Sequence, residues 1–382
     1  LNRIAAINLG LARLAGPEDK EASNPRYARD RGSDSPLALL TKKRFITGMR
    51  VFAALLTALV LSASAFAINN RTSVFSRDAT PANGSYNLQL FVYAITTGIF
   101  LVVGSLGAYA VIKFRARPGD EKSEPVQIFG SNQIELSWTI IPILIVVVLF
   151  LTTARMIFAV QDAPEPANSI KVTAIGHQFW WEFQYPQYGF TTANELHVPV
   201  SDPKAPTPTY MKLSSADVIH SFWVPRLAGK TDLIPSRVNE MWIDPSKPGM
   251  YEGQCSQFCG TEHAKMLLRV YVQPRADFDE WVKNQQQAAV ATEVQGQHVF
   301  ESQACINCHA VKGTIANGRF GPDLTHLMSR DTIASGAADN TPDNLRRWIE
   351  NPEVFKSGSN MPAMNLTPDQ LTQVTAYLTT LK

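Results

Sequence analysis

The chain is poor in cysteine and nearly without net charge, and each shortage removes a class of protein. Four cysteines in 382 residues are too few for a disulfide-stapled scaffold. Thirty-five Lys+Arg against 33 Asp+Glu leave a formal charge of +2, which gives no global reason to bind nucleic acid or another polyanion. Charged residues make up only 18% and hydrophobic residues 45%, so the chain is no disordered tail. Its length allows two or three domains. The mean hydropathy of −0.08 averages very apolar stretches with very polar ones. All four cysteines, Cys255, Cys259, Cys305 and Cys308, lie in the last third of the chain. Two close pairs indicate two local chemical sites.

Three apolar stretches stand out. The first, 49–67, follows Lys42, Lys43 and Arg44 and ends in Ala65-Phe66-Ala67. That layout describes a secretory signal peptide cleaved before Ile68; a third membrane helix is the alternative. No cysteine follows this core, so a lipid-modified start is not expected. Residues 1–48, polar and starting with Leu, read as a leader or an over-extended frame. The stretches 88–112 and 134–160 are each long enough to cross a bilayer: about 25 residues at 1.5 Å make about 38 Å, beyond the ~30 Å hydrocarbon core. Pro142 in the second is tolerable in a membrane helix. The loop between them carries Lys113, Arg115, Arg117 and Lys122, whereas 160–170 has no Lys or Arg before Lys171. The positive-inside rule puts that loop in the cytoplasm and everything after residue 160 outside. Free cysteines in that oxidising space would be at risk unless occupied.

From Ile170 to about Pro274 the pattern changes to short runs such as IKVTAIG, FWWEFQY, TYMKLSS and LLRVYVQP. Rich in β-branched and aromatic residues and punctuated by turn formers, they predict a β-sandwich or barrel. Near its end, Cys255-Ser-Gln-Phe-Cys259-Gly-Thr-Glu-His263-Ala-Lys-Met266 packs four ligand-type side chains together, and His220 lies upstream in ADVIHSFWVP. Thiolates, imidazoles and a thioether suit copper; a Cys2His2 zinc site is the alternative, but it has no use for the methionine. His177 and His197 read as hydrogen-bonding residues of the barrel.

Two membrane helices, a barrel, and the segments DVIHSFWVP and CSQFCGTEHAKM together resemble subunit II of the haem–copper cytochrome c oxidases over about residues 85–275. The resemblance implies a cupredoxin fold holding a dinuclear CuA centre. Cys255 and Cys259 would bridge two coppers, with His220, His263 and Met266 as terminal ligands and the Gln257 carbonyl as a weak one. It also implies a Mg²⁺ at the subunit I interface, where many relatives bring Glu at position 257; Gln257 keeps the carbonyl and lacks the charge. GHQFWWEFQY resembles the aromatic region over CuA. Phe179 stands where many relatives present a Trp to soluble cytochrome c, and Trp180 and Trp181 follow. All three are electron-entry candidates, with barrel packing as the alternative. Glu135, in IELSWTIIP, matches a family carboxylate at the mouth of a proton channel into subunit I; near a helix end it could also merely snorkel.

Residues 276–295 look like a short helix and linker. Cys305-x-x-Cys308-His309 then forms the c-type haem attachment signature, two thiols for the vinyl groups and an imidazole for the iron. NLRRWIENP reads as an amphipathic helix, and Thr367-Pro-Asp-Gln370 as a capped helix start. By resemblance to the M-P pattern of such domains the second axial ligand is Met361, with Met364 next and His298 and His326 behind. From Glu293 onward there are nine acidic and seven basic residues.

The expected architecture is therefore a multi-domain membrane protein: a leader over 1–67, a two-helix transmembrane hairpin over 85–160, an all-β cupredoxin-like barrel over 168–275, a linker over 276–295 and a small all-α class I cytochrome c domain over 296–382. The whole pattern resembles oxidase subunit II with a fused cytochrome c. The resemblance implies an electron relay in a proton-pumping terminal oxidase of the bacterial inner membrane, with both redox domains on the periplasmic side. One covalent haem c and CuA would connect a donor cytochrome or upstream respiratory complex to haem a of subunit I, with subunit III as a further partner. Fusion would raise the local concentration of the donor domain, which could re-dock intramolecularly. A CuA subunit of a nitric oxide reductase and a membrane-anchored copper/haem carrier are the alternatives. A quinol oxidase subunit II would lack the copper ligands.

Overall fold

The computed structural model describes residue 57 and residues 71–115, 127, 129–161, 165, 167–202, 204–290 and 292–382. Apart from residue 57, the stretch 49–67 read as a signal peptide lies outside them, as do its cleavage point and the loop residues Arg117 and Lys122.

Two apolar helices, α1 (Thr80–Lys113) and α2 (Asn132–Gln161), are long enough to cross a membrane. Helix α1 begins earlier than the apolar run that predicts it. Its first turns, TPANGSYN, are polar, so hydropathy cannot mark them, and Pro81 in the first turn pre-sets a helical φ. Pro142 lies inside α2, which continues through it. The hairpin is fastened to the domain above it. Asp78, 4% exposed, pairs with Arg226 at 2.7 Å, and its carbonyl accepts from the Ser246 amide at 2.8 Å. At the other helix end the Trp242 indole donates to the Val160 carbonyl at 2.8 Å.

That domain is a sandwich of two five-stranded sheets. One orders its strands β3 (Phe190–Ala193), β2 (Trp180–Tyr185), β1 (Ile170–His177), β5 (Thr209–Ser215) and β8 (Asn239–Ile243). The other runs β4 (Glu195–Pro199), β10 (Leu267–Gln273), β9 (Gly249–Cys255), β6 (His220–Trp223) and β7 (Thr231–Leu233). Pairing is antiparallel except for β1 with β5 and β4 with β10. Alternate side chains turn inward because the strand period is two: Val172, Ala174, Trp181, Phe183, Leu196, Phe222 and Val270 all lie in the core. Helix α3 (Arg275–Gln285) occupies the first part of the expected linker and buries Phe278 and Val282 against the sandwich.

The C-terminal domain packs α4 (Val294–Ser302), α5 (Cys305–Cys308), α6 (Pro342–Glu350) and α7 (Pro368–Thr379) around Phe300, Leu345, Val374 and Tyr377. Gly296 lets α4 cross α7 closely; a Cβ there would lie 2.1 Å from the Gln373 carbonyl oxygen. Thr367 and Gln370 form the reciprocal capping box expected of their spacing. The domain is not purely α-helical: Thr332–Ile333 and Ala338–Asp339 pair as a two-stranded ribbon. Such short strands carry no periodic signal in the sequence, and hydrogen bonds to the sandwich hold the first of them.

Candidate metal centres

Strands β6 and β9 are hydrogen-bonded neighbours, with Phe222 opposite Cys255, so the start of one and the end of the other share an end of the sheet. This places His220 and Cys255 together. The tight loop after β9 then returns Cys259, His263 and Met266 to the same point. Cys255 Sγ lies 3.8 Å from His220 Nδ1, 3.9 Å from Cys259 Sγ and 3.2 Å from the Gln257 carbonyl oxygen. Cys259 Sγ lies 3.6 Å from His263 Nδ1 and 3.8 Å from Met266 Sδ. Among the described residues His220, Cys255 and Cys259 form a buried metal-type cluster. Five converging N and S donors fit soft copper ions better than a hard cation.

The electrostatics favour a thiolate at Cys255 and a thiol at Cys259. The Cys259 thiol, with a further contribution from His220, draws Cys255 down although burial opposes this, and the same coupling pushes Cys259 up. Burial pulls His220 down, but Asp217 and Cys255 outweigh it and raise the imidazole. Asp217 Oδ1 sits 2.8 Å from His220 Nε2. A carboxylate on the far nitrogen of a ligand histidine fixes the ring and its tautomer. Sequence reasoning missed Asp217, although its place three residues before His220 was a usable signal.

The aromatic candidates separate. Trp181 is fully buried in the sandwich core, 5.8 Å edge-on to Phe222, and belongs to packing. Trp180, on the other face of β2, stacks on His177 at 4.2 Å. Phe179 precedes the strand and, with Trp180, lines a cavity of about 760 Å³ that the two domains share. His177 pairs with Glu182 at 3.0 Å and His197 with Gln273 at 3.1 Å, the hydrogen-bonding roles expected of them.

Cys305, Cys308 and His309 form another part of the cavity wall. His309 Nδ1 is held by the Pro322 carbonyl at 2.8 Å, which leaves Nε2 for a metal. Burial keeps this imidazole neutral by lowering its pKa. Leu327, Trp348, Ile349 and Leu378 supply apolar lining. Arg330, also in the wall, has a buried Nε without a hydrogen-bond partner. Two thiols, a free imidazole nitrogen, apolar walls and an orphaned guanidinium donor fit a covalently held haem with its acidic side chains. Met361 and Met364 both line the cavity. His326 does not line it: its ring nitrogens face the carbonyls of Lys382 at 2.8 Å and Gln287 at 3.2 Å. His298 is exposed.

Away from both sites, Glu135 lies in the first turn of α2, where a carboxylate also complements the helix dipole.

The chain matches the family models for the transmembrane domain of cytochrome c oxidase subunit II over residues 69–155, its periplasmic domain over 192–272 and cytochrome c over 293–382. Cytochrome c oxidase subunit 2 of Alkalihalophilus pseudofirmus is 36% identical over 304 residues, covering 77% of this chain and 85% of that protein. The subunit of the same name from Bacillus sp. strain PS3 is 34% identical over 323 residues, covering 79% and 89%. The crystal structure of the periplasmic domain of subunit II from Bradyrhizobium japonicum is 32% identical over 32% of this chain and 97% of that one, with a TM-score of 0.30. With a membrane hairpin, a periplasmic-type sandwich and a cytochrome c domain in one polypeptide, this chain belongs to the cytochrome c oxidase subunit 2 family.

Proposed function

We propose that this chain is the electron-transfer subunit of a proton-pumping terminal oxidase of the bacterial inner membrane, with its redox domains on the periplasmic side. The convergence of His220, Cys255, Cys259, His263 and Met266 at one end of the second sheet carries this reading. Cys255 and Cys259 would bridge two copper ions, His220, His263 and Met266 would complete the set, and the Gln257 carbonyl would add a weak contact. Cys305 and Cys308 would hold one haem c covalently, with His309 and Met361 as axial ligands. When bound, these groups supply one-electron chemistry, a relay from a donor cytochrome or upstream complex toward haem a of subunit I, where O₂ is reduced.

The chain's own residues do the holding and orienting. Asp217 orients His220 through its far nitrogen, and the Pro322 carbonyl orients His309. Phe179 and Trp180 bring the copper domain's aromatic corner to the cavity wall. Gln257 and Phe258 are exposed beside the ligand loop and would face subunit I, with Gln257 bringing no charge to a Mg²⁺ there. Glu135 would open the proton channel of subunit I, and subunit III would complete the assembly.

Purification of the complex tests the reading. It should contain covalent haem c, copper in this subunit and haem a in its partner, and consume O₂ with reduced cytochrome c. A complex that reduces NO and leaves O₂ untouched would assign the chain to a nitric oxide reductase instead.

A further inference from the structure

The haem domain does not merely hang beside the copper domain. The loop that carries Met361 and Met364 is bonded to the copper domain's aromatic corner. Lys356, only 4% exposed, donates from Nζ to the Phe179 carbonyl at 2.7 Å. Asn360 donates from Nδ2 to the neighbouring Gln178 carbonyl at 2.8 Å. Gln178 in turn is tied to both parts of the copper ligand set. Its side-chain amide donates to the Cys259 carbonyl at 2.6 Å, and its main-chain amide donates to Asp217 at 2.6 Å. The other Asp217 oxygen holds His220. A short run of hydrogen bonds therefore joins the haem loop to a cysteine and a histidine of the copper set. The fit is close: a Cβ on Gly260, the residue after Cys259, would lie 2.9 Å from Phe179 Cε1.

A second fastening holds the other side of the interface. Glu195, 2% exposed, accepts from the Asp331 amide at 3.1 Å, the Thr332 amide at 2.9 Å and the Thr332 hydroxyl at 2.8 Å. Burying an ammonium and a carboxylate is expensive unless each is tightly bonded. Apolar side chains would have filled the same space without that cost. The expense is accounted for if these groups fix geometry.

We propose that Lys356 is a positioning residue for electron transfer between the two centres: by holding the Phe179 carbonyl it seats the haem loop on the copper domain in one register. The proposal rests on the relay function above. In the step it serves, one electron leaves the reduced haem and enters the oxidised copper centre. No bond is made or broken, and the external donor restores the haem.

The test uses the purified oxidase complex carrying Lys356→Met, Lys356→Arg or Asn360→Ala. Haem-to-copper transfer is followed in a single turnover by absorbance, and amide hydrogen exchange is read over 178–181 and 355–361. Lys356→Met should slow transfer about tenfold, since misplacement on the ångström scale has effects of that order or more. It should also raise exchange in both segments while each centre keeps its spectrum and midpoint potential. Lys356→Arg should restore most of the rate, and Asn360→Ala should act in the same direction more weakly. Wild-type transfer and exchange in Lys356→Met would overturn the proposal. Should that variant fail to assemble, unchanged transfer and exchange in Asn360→Ala would overturn it. A wild-type complex without haem c or copper would refute the relay reading instead; the exchange measurement would then decide whether Lys356 seats the domain.

Discussion

The side chains that converge at the copper-type site come from two strand ends and the loop that follows one of them, whereas the thiols, His309 and methionines of the cavity wall come from a four-residue helix and a loop far along the chain. In the first case backbone register does the assembling: β6 pairs with β9, and His220 and Cys255 meet because the sheet is formed. In the second, short elements and loops of both domains wall a cavity of about 760 Å³. One site is preorganised by hydrogen bonds that need no metal. The other is an open cleft between the two domains whose apolar walls offer a bound group its contacts.

Removing each group would test that contrast most severely. Replacing both Cys305 and Cys308 with Ser should abolish covalent haem and leave the C-terminal domain without cooperative folding. The apolar walls now facing the group would lose its contacts and meet water or empty space, which destabilises the domain. Haem staining on a denaturing gel and the domain's circular dichroism would report it, and a cooperative melt in the variant would contradict the contrast. Cys255→Ser should bleach the copper absorbance, yet leave the sandwich folded with its melting temperature moved by only a few degrees.

Axial ligation sharpens the comparison at a smaller scale. Met361→Ala should lose the low-spin Met/His absorption and Met364→Ala should keep it; the reverse would exchange the two assignments. On the copper side, Asp217→Asn should leave all ligands present but weaken metal binding ~10- to 100-fold, as loss of an orienting carboxylate does. Competition with a chelator would measure this.

The smallest effect concerns acid stability. His197 is stacked between Tyr271 at 4.9 Å and Trp281 at 4.2 Å, and burial lowers it to about 4. Its folded pKa lies below the ordinary ~6.5, so the unfolded chain binds the extra proton. Stability is lost as pH falls from about 6.5 to about 4. His197→Phe should flatten that limb of the melting-temperature profile while keeping the stack.

How much was legible depended on range. Cys305, Cys308 and His309 form a site within five consecutive residues, and the sequence alone exposed it. Cys255 to Met266 was nearly as local, and His220 followed from residue type. Trp180 and Trp181 were inseparable in the sequence because consecutive strand residues point to opposite faces; the register of β2 against β1 put Trp181 in the core and Trp180 against His177. The polar first turns of α1 escaped hydropathy for want of apolar residues. Lys356, Asn360 and Glu195 looked like ordinary polar residues, since nothing local marks a side chain that meets its partner across a domain boundary.

The sequence by itself determined the local chemistry: which cysteines stand in close pairs near histidines, and which runs can cross a membrane. These are properties of composition and short spacing, fixed before the chain folds. Only the tertiary structure decided that residues beside the copper-type site line the cavity of Cys305, Cys308 and His309, that Asp217 stands behind His220, and that a buried lysine clasps Phe179. Those depend on strand register and on surfaces brought together from distant parts of the chain, which no local pattern encodes.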